Sequence, residues 1–474
     1  MKLDTDMKET APTEVLARFV AELRFEDLPR EVVNQACRVI LDSVGCAIAA
    51  WREDPEKARI AEKLIAEFGA AGPATVIGGG RTDAALAALA NGILVNAADS
   101  DDTHKRALIH VGSTVVPPAL AVAEAEKLSG REVIAAVVAG YEVAVRVGMA
   151  VMPTHYQYWH STATNGTFGA AAAAARALGQ SAHKVRLALG FAGTQAAGLN
   201  TFFETGDHTK SLHPGKAGFN GVLAARLAAL GATSPPNILE HPKGYLAAYS
   251  TEPKIEKLTE GLGQRWEILE NGFKYYPSIL ASHSPIGATL ELVNNWDIDP
   301  AKIRSITNNT YNTVKSHFSS KDVSSTMAAR LSVPYCIAAA AVDREITQCQ
   351  FQPERFQDPL VQQVLERTEV IADAELDLLY PEKFPARVVI EMENGETHEA
   401  TIMYPKGDPQ NPLTNAQLED KFRDNASALL SPTEANAMVT EIAKLSDNAD
   451  VSQLLKLLEN RQPCEGTAPE NAHL

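Results

Sequence analysis

The chain has 474 residues, of which 45% are hydrophobic and 22% charged, and this excludes disorder over the whole length. The length predicts two or three domains, or one large helical domain with an insert. The net charge of −16 argues against nucleic acid as a partner, and an anionic substrate would need a local basic pocket.

Helical periodicity dominates the first half of the chain, after an N-terminal tail at residues 1–14. Asp27 is a suitable cap for a helix that opens near Pro29. Pro117 and Pro118 are expected to open another helix, with Gly130 in the position after its end.

The residues that follow predict a tightly packed helical centre. Residues 131–149 are almost all apolar, which indicates a helix buried on every side, and Glu142 and Arg146 are spaced to pair on it. The six alanines from Ala170 to Ala175 allow neighbouring helices to approach closely.

The pattern changes near residue 272. Alternation around residues 303–307 predicts a strand, and Asn394-Gly395 between two strand-like runs predicts a hairpin with a type I′ turn. Helices at 283–295 and 326–342 lie among these strands. We therefore expect a mainly α protein: a large all-helical domain at residues 15–271 and 409–461, a smaller inserted α+β domain at 272–408, and a disordered tail at 462–474.

Cysteine usage and the termini bear on the compartment. The cysteines include no C-x-x-C pair, which argues against a disulfide framework or a cysteine zinc site. The N-terminus lacks the apolar core of a secretory signal, and no uninterrupted run approaches the roughly 18 apolar residues of a membrane helix. We expect a cytoplasmic protein; the alternative is a peroxisome, because Ala472, His473 and Leu474 loosely resemble a peroxisomal address.

The densest polar segment runs from Asp99 to Arg106 and is followed by His110. It lies between two helical stretches, so it is predicted to be a loop, and loops on a rigid scaffold often carry sites. The alternative is a solvated turn that caps the next helix. A metal site is disfavoured because neither H-E-x-x-H nor EF-hand spacing is present.

Two further segments combine histidine with a helix start or with lysine. His160 precedes a helix of very small residues, whose N-terminus would favour an anion; the alternative is a core histidine bonded to a carbonyl. His208, Lys210, His213 and Lys216 form a basic cluster suited to a di- or tricarboxylate; the alternative is an exposed cationic loop. Lys274 and the nearby His283 mark a fourth candidate, at the start of the second domain.

Taken together, these segments resemble the MmgE/PrpD family over about residues 15–460. The matching motifs are residues 41–46 (LDSVGC), 99–104 (DSDDTH), Gly112-Ser113 after His110, 162–169 (TATNGTFG), 209–216 (TKSLHPGK) and 331–335 (LSVPY). Members include 2-methylcitrate dehydratases, cis-aconitate decarboxylases and iminodisuccinate epimerases. The resemblance implies a helical domain with an α+β lid, a homodimer, and catalysis without metal or cofactor.

The resemblance also implies a set of site residues and a carbanion next to a carboxylate as the intermediate. His110 and His160 would transfer protons, Asp99 would orient or charge a histidine, and Lys210, Thr103 and His283 would bind substrate carboxylates. His213 and a lid tyrosine, Tyr311, complete the expected substrate contacts.

The expected function is a lyase acting on a citrate- or aconitate-type acid, with a slight preference for decarboxylation over dehydration. The alternatives are an epimerase of a dicarboxylate and a non-catalytic binding or scaffold relative.

Overall fold

The computed structural model describes residues 11–461, and these are mainly α-helical with few strands. The predicted disordered tail at 462–474 and its C-terminal tripeptide lie outside the described residues. The helices are α1 (Pro12–Glu22), α2 (Arg30–Glu53), α3 (Pro55–Phe68), α4 (Ala84–Ala97), α5 (Val111–Glu126), α6 (Gly130–Val151), α7 (Ser161–Ala177), α8 (Ala182–Gln195), α9 (Phe202–Thr205), α10 (Thr209–Ala229), α11 (Tyr245–Tyr249), α12 (Leu280–Asn295), α13 (Asn312–His317), α14 (Thr326–Leu331), α15 (Val333–Asp343), α16 (Pro353–Phe356), α17 (Pro359–Glu366), α18 (Ala374–Asp377), α19 (Asn415–Ala426), α20 (Pro432–Ala443) and α21 (Ser452–Leu455). The strands are β1 (Ala74–Thr75), β2 (Arg81–Thr82), β3 (Ile303–Thr310), β4 (Thr368–Ala372), β5 (Ala386–Met392) and β6 (Thr397–Ile402).

The described chain forms two compact units. The first comprises the described residues up to Phe202, His208–Asn271, and the described residues from Thr414 onward. The second comprises Phe203–Asp207 and Gly272–Leu413. The first unit is helical apart from the short β1–β2 pair, and the second carries a four-stranded sheet in the order β4-β3-β5-β6.

Helix α7 lies at the centre of the first unit. It packs against α5, α6, α8 and α10, and its six consecutive alanines are fully buried, as their small size predicted. Where α6 crosses α7, a Cβ atom on Gly140 would lie 3.0 Å from the carbonyl oxygen of Gly169. The two helices therefore touch through their backbones.

A second close crossing brings the end of α4 beside the start of α10. A Cβ atom on Gly92 of α4 would lie 2.7 Å from the Cα atom of Gly215 of α10. Gly218, further along α10, meets Ala88, which is earlier in α4, so the two helices run antiparallel. This crossing carries the residues that follow α4 towards the first turn of α10, where Lys210 lies.

The sheet of the second unit has β3 in an inner position. β3 pairs in parallel with β4 and antiparallel with β5, and β5 and β6 form the predicted hairpin. The predicted type I′ turn is wrong, because that turn needs positive φ at two residues and in this loop only Gly395 has it, at 88°. Helix α12 packs against β5 and β6, and α15 packs against α12 and β4.

Two predicted helix starts differ in the structure. Asp27 does not cap α2; its carboxylate pairs with Arg24 at 3.1 Å, and Pro29 holds the cap position without a side-chain bond. Pro117 and Pro118 do not open α5 but lie inside it. An interior proline costs about 3 kcal/mol in an isolated helix, and burial of every residue from Val111 to Glu124 offsets that cost.

The end of α5 also differs from the prediction. Lys127, in the left-handed conformation at φ 56°, ends the helix. Gly130 is instead the first residue of α6, whose start is fixed by a capping box between Ser129 and Glu132.

Helices α2 and α6 are long and apolar enough to cross a membrane by length and composition alone. Within the protein, 78% of the apolar window of α2 and 100% of that of α6 are buried, as in the core helix of a globular protein. The mean hydropathy of α6 is high enough for a membrane span although Gly140 and Glu142 interrupt its apolar run. Because both helices are mostly buried in the protein, they are weak evidence for a membrane.

Candidate active site

The polar segment from Asp99 to His110 is the loop between α4 and α5, as predicted, but it is not a solvated turn. Most of its charged side chains are withdrawn from water; those of the following residues are fully buried: Asp99, Asp101, Asp102 and His104. Buried charges are costly unless they are paired or hydrogen-bonded, so the contacts of this loop decide what it can do.

Two partners outside the loop hold its first half. The Lys421 ammonium of α19 donates to Asp42 Oδ1 and to the carbonyl oxygen of Ser100, both at 2.7 Å. The Asn96 amide donates to both carboxylate oxygens of Asp101 at 3.0 Å. Burial raises the pKa of Asp42, and Lys421 opposes that shift.

A buried carboxylate, Glu267, holds the far half of the loop. Arg106 donates to it at 2.9 Å and Arg265 at 2.8 Å, and His104 Nε2 lies 3.7 Å away. Burial alone would raise the pKa of Glu267, but His104 and Arg106 lower it to about 2. The loop is therefore held by hydrogen bonds in its first half and by an ion pair between Arg106 and Glu267 in its far half, all inside the first unit.

The geometry of His110 selects one tautomer of its ring. His110 caps α5, and its Nδ1 atom lies 2.9 Å from the carbonyl oxygen of Asp102, 3.4 Å from Asp101 Oδ1 and 3.3 Å from Thr103 Oγ1. A carbonyl oxygen and a carboxylate oxygen can only accept, so Nδ1 carries the hydrogen. Nε2 is then the nitrogen that takes up or releases a proton.

His160 and His213 form a second imidazole group. His160 caps α7, and its Nδ1 lies 2.9 Å from Nδ1 of His213, so one ring donates to the other. Burial lowers the pKa of His160 well below its usual value, and the neighbouring His213, His110 and Lys210 lower it further. The alternative of a core histidine bonded to a carbonyl does not describe this ring-to-ring contact.

Lys210 lies in the first turn of α10 and forms an ion pair with Asp99. Its side chain is 7% exposed and that of Asp99 is fully buried. Asp99 occupies the left-handed region at φ 55°, which aspartate tolerates better than most residues. The basic cluster is therefore not an exposed cationic loop: it is helical from Thr209, although His208 itself is exposed.

Three helix N-termini begin at these residues. α5, α7 and α10 start directly after His110, His160 and His208, and none of the three has a side-chain cap bonded at its capping residue. Each N-terminus carries a partial positive charge from the helix dipole. These partial charges add to the charge of Lys210 and lie near the buried carboxylates of Asp99, Asp101 and Asp102.

The structure brings six predicted site residues together in the first unit: Asp99, Thr103, His110, His160, Lys210 and His213. His283 and Tyr311 lie in the second unit, and their membership of the site stays a prediction. His283 Nε2 lies 3.4 Å from the carbonyl oxygen of Ser278, and Tyr311 stacks on Tyr380 with ring centroids 4.4 Å apart.

The sequence did not predict a supporting role for Asp102, Asp42, Tyr141 or Lys421, although Asp42 and Asp102 lie in the motifs at residues 41–46 and 99–104. Asp102 accepts from Tyr141 of α6 at 2.6 Å, and burial raises its pKa to about 7 although the tyrosine hydroxyl lowers it. Tyr141, Asp42 and Lys421 complete the supporting set. The sequence feature that could have indicated two of them is a polar residue on an otherwise apolar helix face, Asp42 on α2 and Tyr141 on α6.

A cluster of two aspartates and one histidine at the site has the spacing of metal ligands. Ligand atoms of Asp99, Asp101 and His110 lie within 4.8 Å of one another. The Lys210 ammonium already pairs with Asp99, and the Asn96 amide bonds to both oxygens of Asp101. This donor set does not fit a divalent cation, because a second cation would lie next to Lys210.

Two family domains match the chain: the MmgE/PrpD N-terminal domain over residues 14–258 and the MmgE/PrpD C-terminal domain over residues 276–447. A cis-aconitate decarboxylase-like protein, oryM, from Aspergillus oryzae is 28% identical over 94% of this chain and 97% of its own length. The cis-aconitate decarboxylase of Aspergillus terreus is 27% identical over 96% and 97%, and that of Homo sapiens is 28% identical over 96% and 95%.

Proposed function

The chain belongs to the MmgE/PrpD family, and from that membership we propose that it is a lyase that releases carbon dioxide from a tricarboxylate of the cis-aconitate type. The relatives that match it over almost their whole length are named for this reaction. The names of these relatives therefore favour decarboxylation, the reaction that was slightly preferred from the sequence.

The observation that carries the proposal is the buried Lys210–Asp99 pair beside His110 and three helix N-termini. A tricarboxylate brings several negative charges, and its decarboxylation develops a further one on carbon. Fixed positive charge in a site shielded from water stabilises that charge without reorganisation. In this arrangement Asp99 holds Lys210 in place, and Thr103 and His213 provide neighbouring polar contacts.

The proposed reaction has two steps. The bond between a carboxylate and its neighbouring carbon breaks, carbon dioxide leaves, and the electron pair passes into the conjugated unsaturated acid. The imidazolium of His110 then delivers its Nε2 proton to carbon, keeps its Nδ1 hydrogen on the Asp102 carbonyl oxygen, and is reprotonated from water. Burial keeps His160 neutral, so it serves as a hydrogen-bond partner or a base.

A second candidate reaction is epimerisation of a dicarboxylate such as iminodisuccinate. It is favoured by one observation: His110 and the His160–His213 pair provide two separate imidazole groups in the same site. Epimerisation needs two such groups, one on each side of a carbon atom. Dehydration of 2-methylcitrate would use the same residues, with one group removing a proton and another protonating the departing hydroxyl.

Other parts of the proposal come from the family alone. They are that the second unit is an inserted lid that contributes His283 and Tyr311, that the protein is a homodimer in the cytoplasm, and that it needs no metal or cofactor. A measured solution mass tests whether the protein is a homodimer. Activity after exhaustive chelation tests whether it needs a metal.

The experiment that tests the function offers cis-aconitate, 2-methylcitrate and iminodisuccinate to the wild type and to His110→Gln and His160→Gln. His183→Gln, which alters an exposed histidine of α8, is the matched control. We expect carbon dioxide from cis-aconitate with the wild type and the control, and a large loss in the two site variants. Turnover of only another acid, or wild-type rates in both site variants, would refute the assignment.

A further inference from the structure

The carboxylate of Asp102 is held by two donors although water does not reach it. The Tyr141 hydroxyl donates to Oδ2 at 2.6 Å and the backbone N–H of Gly112 donates to Oδ1 at 2.8 Å. Asp102 and Tyr141 are both fully buried. Because the two donors come from different helices and each bonds to a different oxygen, the orientation of the Asp102 carboxyl group is fixed.

The same residue also contacts the ring of His110 through its backbone. The carbonyl oxygen of Asp102 accepts from His110 Nδ1 at 2.9 Å. Asp102 therefore links α6 to the His110 ring: its side chain bonds to Tyr141 of α6, and its carbonyl oxygen bonds to the ring.

Gly112 shows how closely this arrangement is built. A Cβ atom at Gly112 would collide with Asp102 Oδ1 and would lie 2.6 Å from Ser43 Oγ. Only a residue without a side chain lets the carboxylate reach the first turn of α5. The contact thus joins the Asp102 carboxylate to the helix that His110 caps.

We propose that Tyr141 is a positioning residue for His110: by fixing Asp102, it keeps the ring hydrogen on Nδ1 and leaves Nε2 as the atom that exchanges a proton with the substrate. The inference rests on the proposed function only in making His110 the proton donor. The tautomer itself is a property of the protein without substrate.

Two other groups near the His110 ring either favour a hydrogen on Nδ1 or favour neither tautomer. Asp101 Oδ1 at 3.4 Å also favours a hydrogen on Nδ1, and Thr103 Oγ1 at 3.3 Å accommodates either direction of the bond. Loss of the Tyr141 hydroxyl should therefore weaken the preference for one tautomer rather than reverse it.

The test is nitrogen-15 NMR of histidine-labelled protein without substrate, over a pH series, with His110→Gln used to assign the ring signals. In the wild type we expect the neutral His110 ring to carry its hydrogen on Nδ1. Tyr141→Phe should give a mixture of tautomers and lower kcat about tenfold or more, with KM changed less than threefold.

Tyr245→Phe is the matched control. Tyr245 is also buried in the first unit, and its hydroxyl donates to Asn165 Oδ1 at 2.8 Å, so the substitution removes a comparable bond. Tyr245→Phe should leave the His110 tautomer as in the wild type, and it should not lower kcat selectively over KM.

Three results would overturn the inference: a hydrogen on Nε2 in the wild type, an unchanged tautomer in folded Tyr141→Phe, or an equal change in Tyr245→Phe. If Tyr141→Phe does not fold, Asp102→Asn is read in the same way, and the wild-type spectrum alone still decides the first point. Failure of the proposed function would appear differently, as absent turnover with the Nδ1 tautomer intact.

Discussion

Replacing Lys210 by methionine removes the ammonium group and keeps a side chain of similar length. In the structure Lys210 is the ion-pair partner of Asp99, whose carboxylate is fully buried. Breaking a buried ion pair from one side leaves an uncompensated charge and costs about 3–5 kcal/mol of unfolding free energy. Loss of a charged donor from a site that develops negative charge lowers kcat by about 10²–10³.

A double-mutant cycle separates these two effects. Asp99→Asn combined with Lys210→Met removes both charges, so its unfolding free energy should exceed that of Lys210→Met alone by about 2 kcal/mol or more. Its decarboxylase activity should remain as low as that of the single variant, because the cation is still missing.

The assays are urea unfolding and carbon dioxide release from cis-aconitate. Lys243→Met, at an exposed lysine of the first unit, is the matched control and should change neither quantity appreciably. A Lys210→Met protein within about 1 kcal/mol of the wild type, with kcat/KM within about threefold of it, would refute both the buried-pair and the catalytic reasoning.

Three further predictions concern stability and reactivity. Glu267, whose pKa is lowered to about 2, stabilises the protein at pH values above its unfolded pKa of about 4.3 and loses this contribution as the pH falls towards 2. The free energy of unfolding of the wild type should therefore exceed that of Glu267→Gln by about 3 kcal/mol at pH 7. A difference that does not shrink in acid would contradict this. Gly92→Ala should separate α4 from α10 and lower both stability and activity, whereas Gly287→Ala, where the nearest atom to a new Cβ is 3.9 Å away, should be tolerated; equal melting temperatures for the two would argue against the close crossing. Because burial raises the pKa of Cys46 while Cys349 is exposed, a thiol reagent followed by mass spectrometry should label Cys349 before Cys46, and equal rates for the two would count against the buried position of α2.

Local sequence patterns were sufficient for the interior helices. The apolar composition of residues 131–149 predicted burial on all sides, and the structure buries α6 throughout its length except near its first turn. The spacing of Glu142 and Arg146 predicted their ion pair, which is confirmed at 3.1 Å with both side chains fully buried. Both features depend on residues within one helix, and this is why periodicity finds them.

Features that depend on distant partners were harder to predict. A run of charged residues such as 99–106 normally indicates a solvated turn, and it is buried here because Lys210, Glu267 and Lys421 approach it from remote parts of the chain. Helix α5 likewise begins at Val111, earlier than its prolines suggest, because tertiary packing outweighs the local cost of Pro117 and Pro118. The position of His160 at a helix start was predictable, but its contact with His213 was not.

The most direct test of the proposed function is incubation of the wild-type protein with cis-aconitate in deuterated water, followed by NMR and measurement of carbon dioxide. We expect one carbon-bound deuteron in the unsaturated dicarboxylate product for each carbon dioxide released. Unchanged cis-aconitate, in a preparation that dehydrates 2-methylcitrate or epimerises a dicarboxylate, would contradict it.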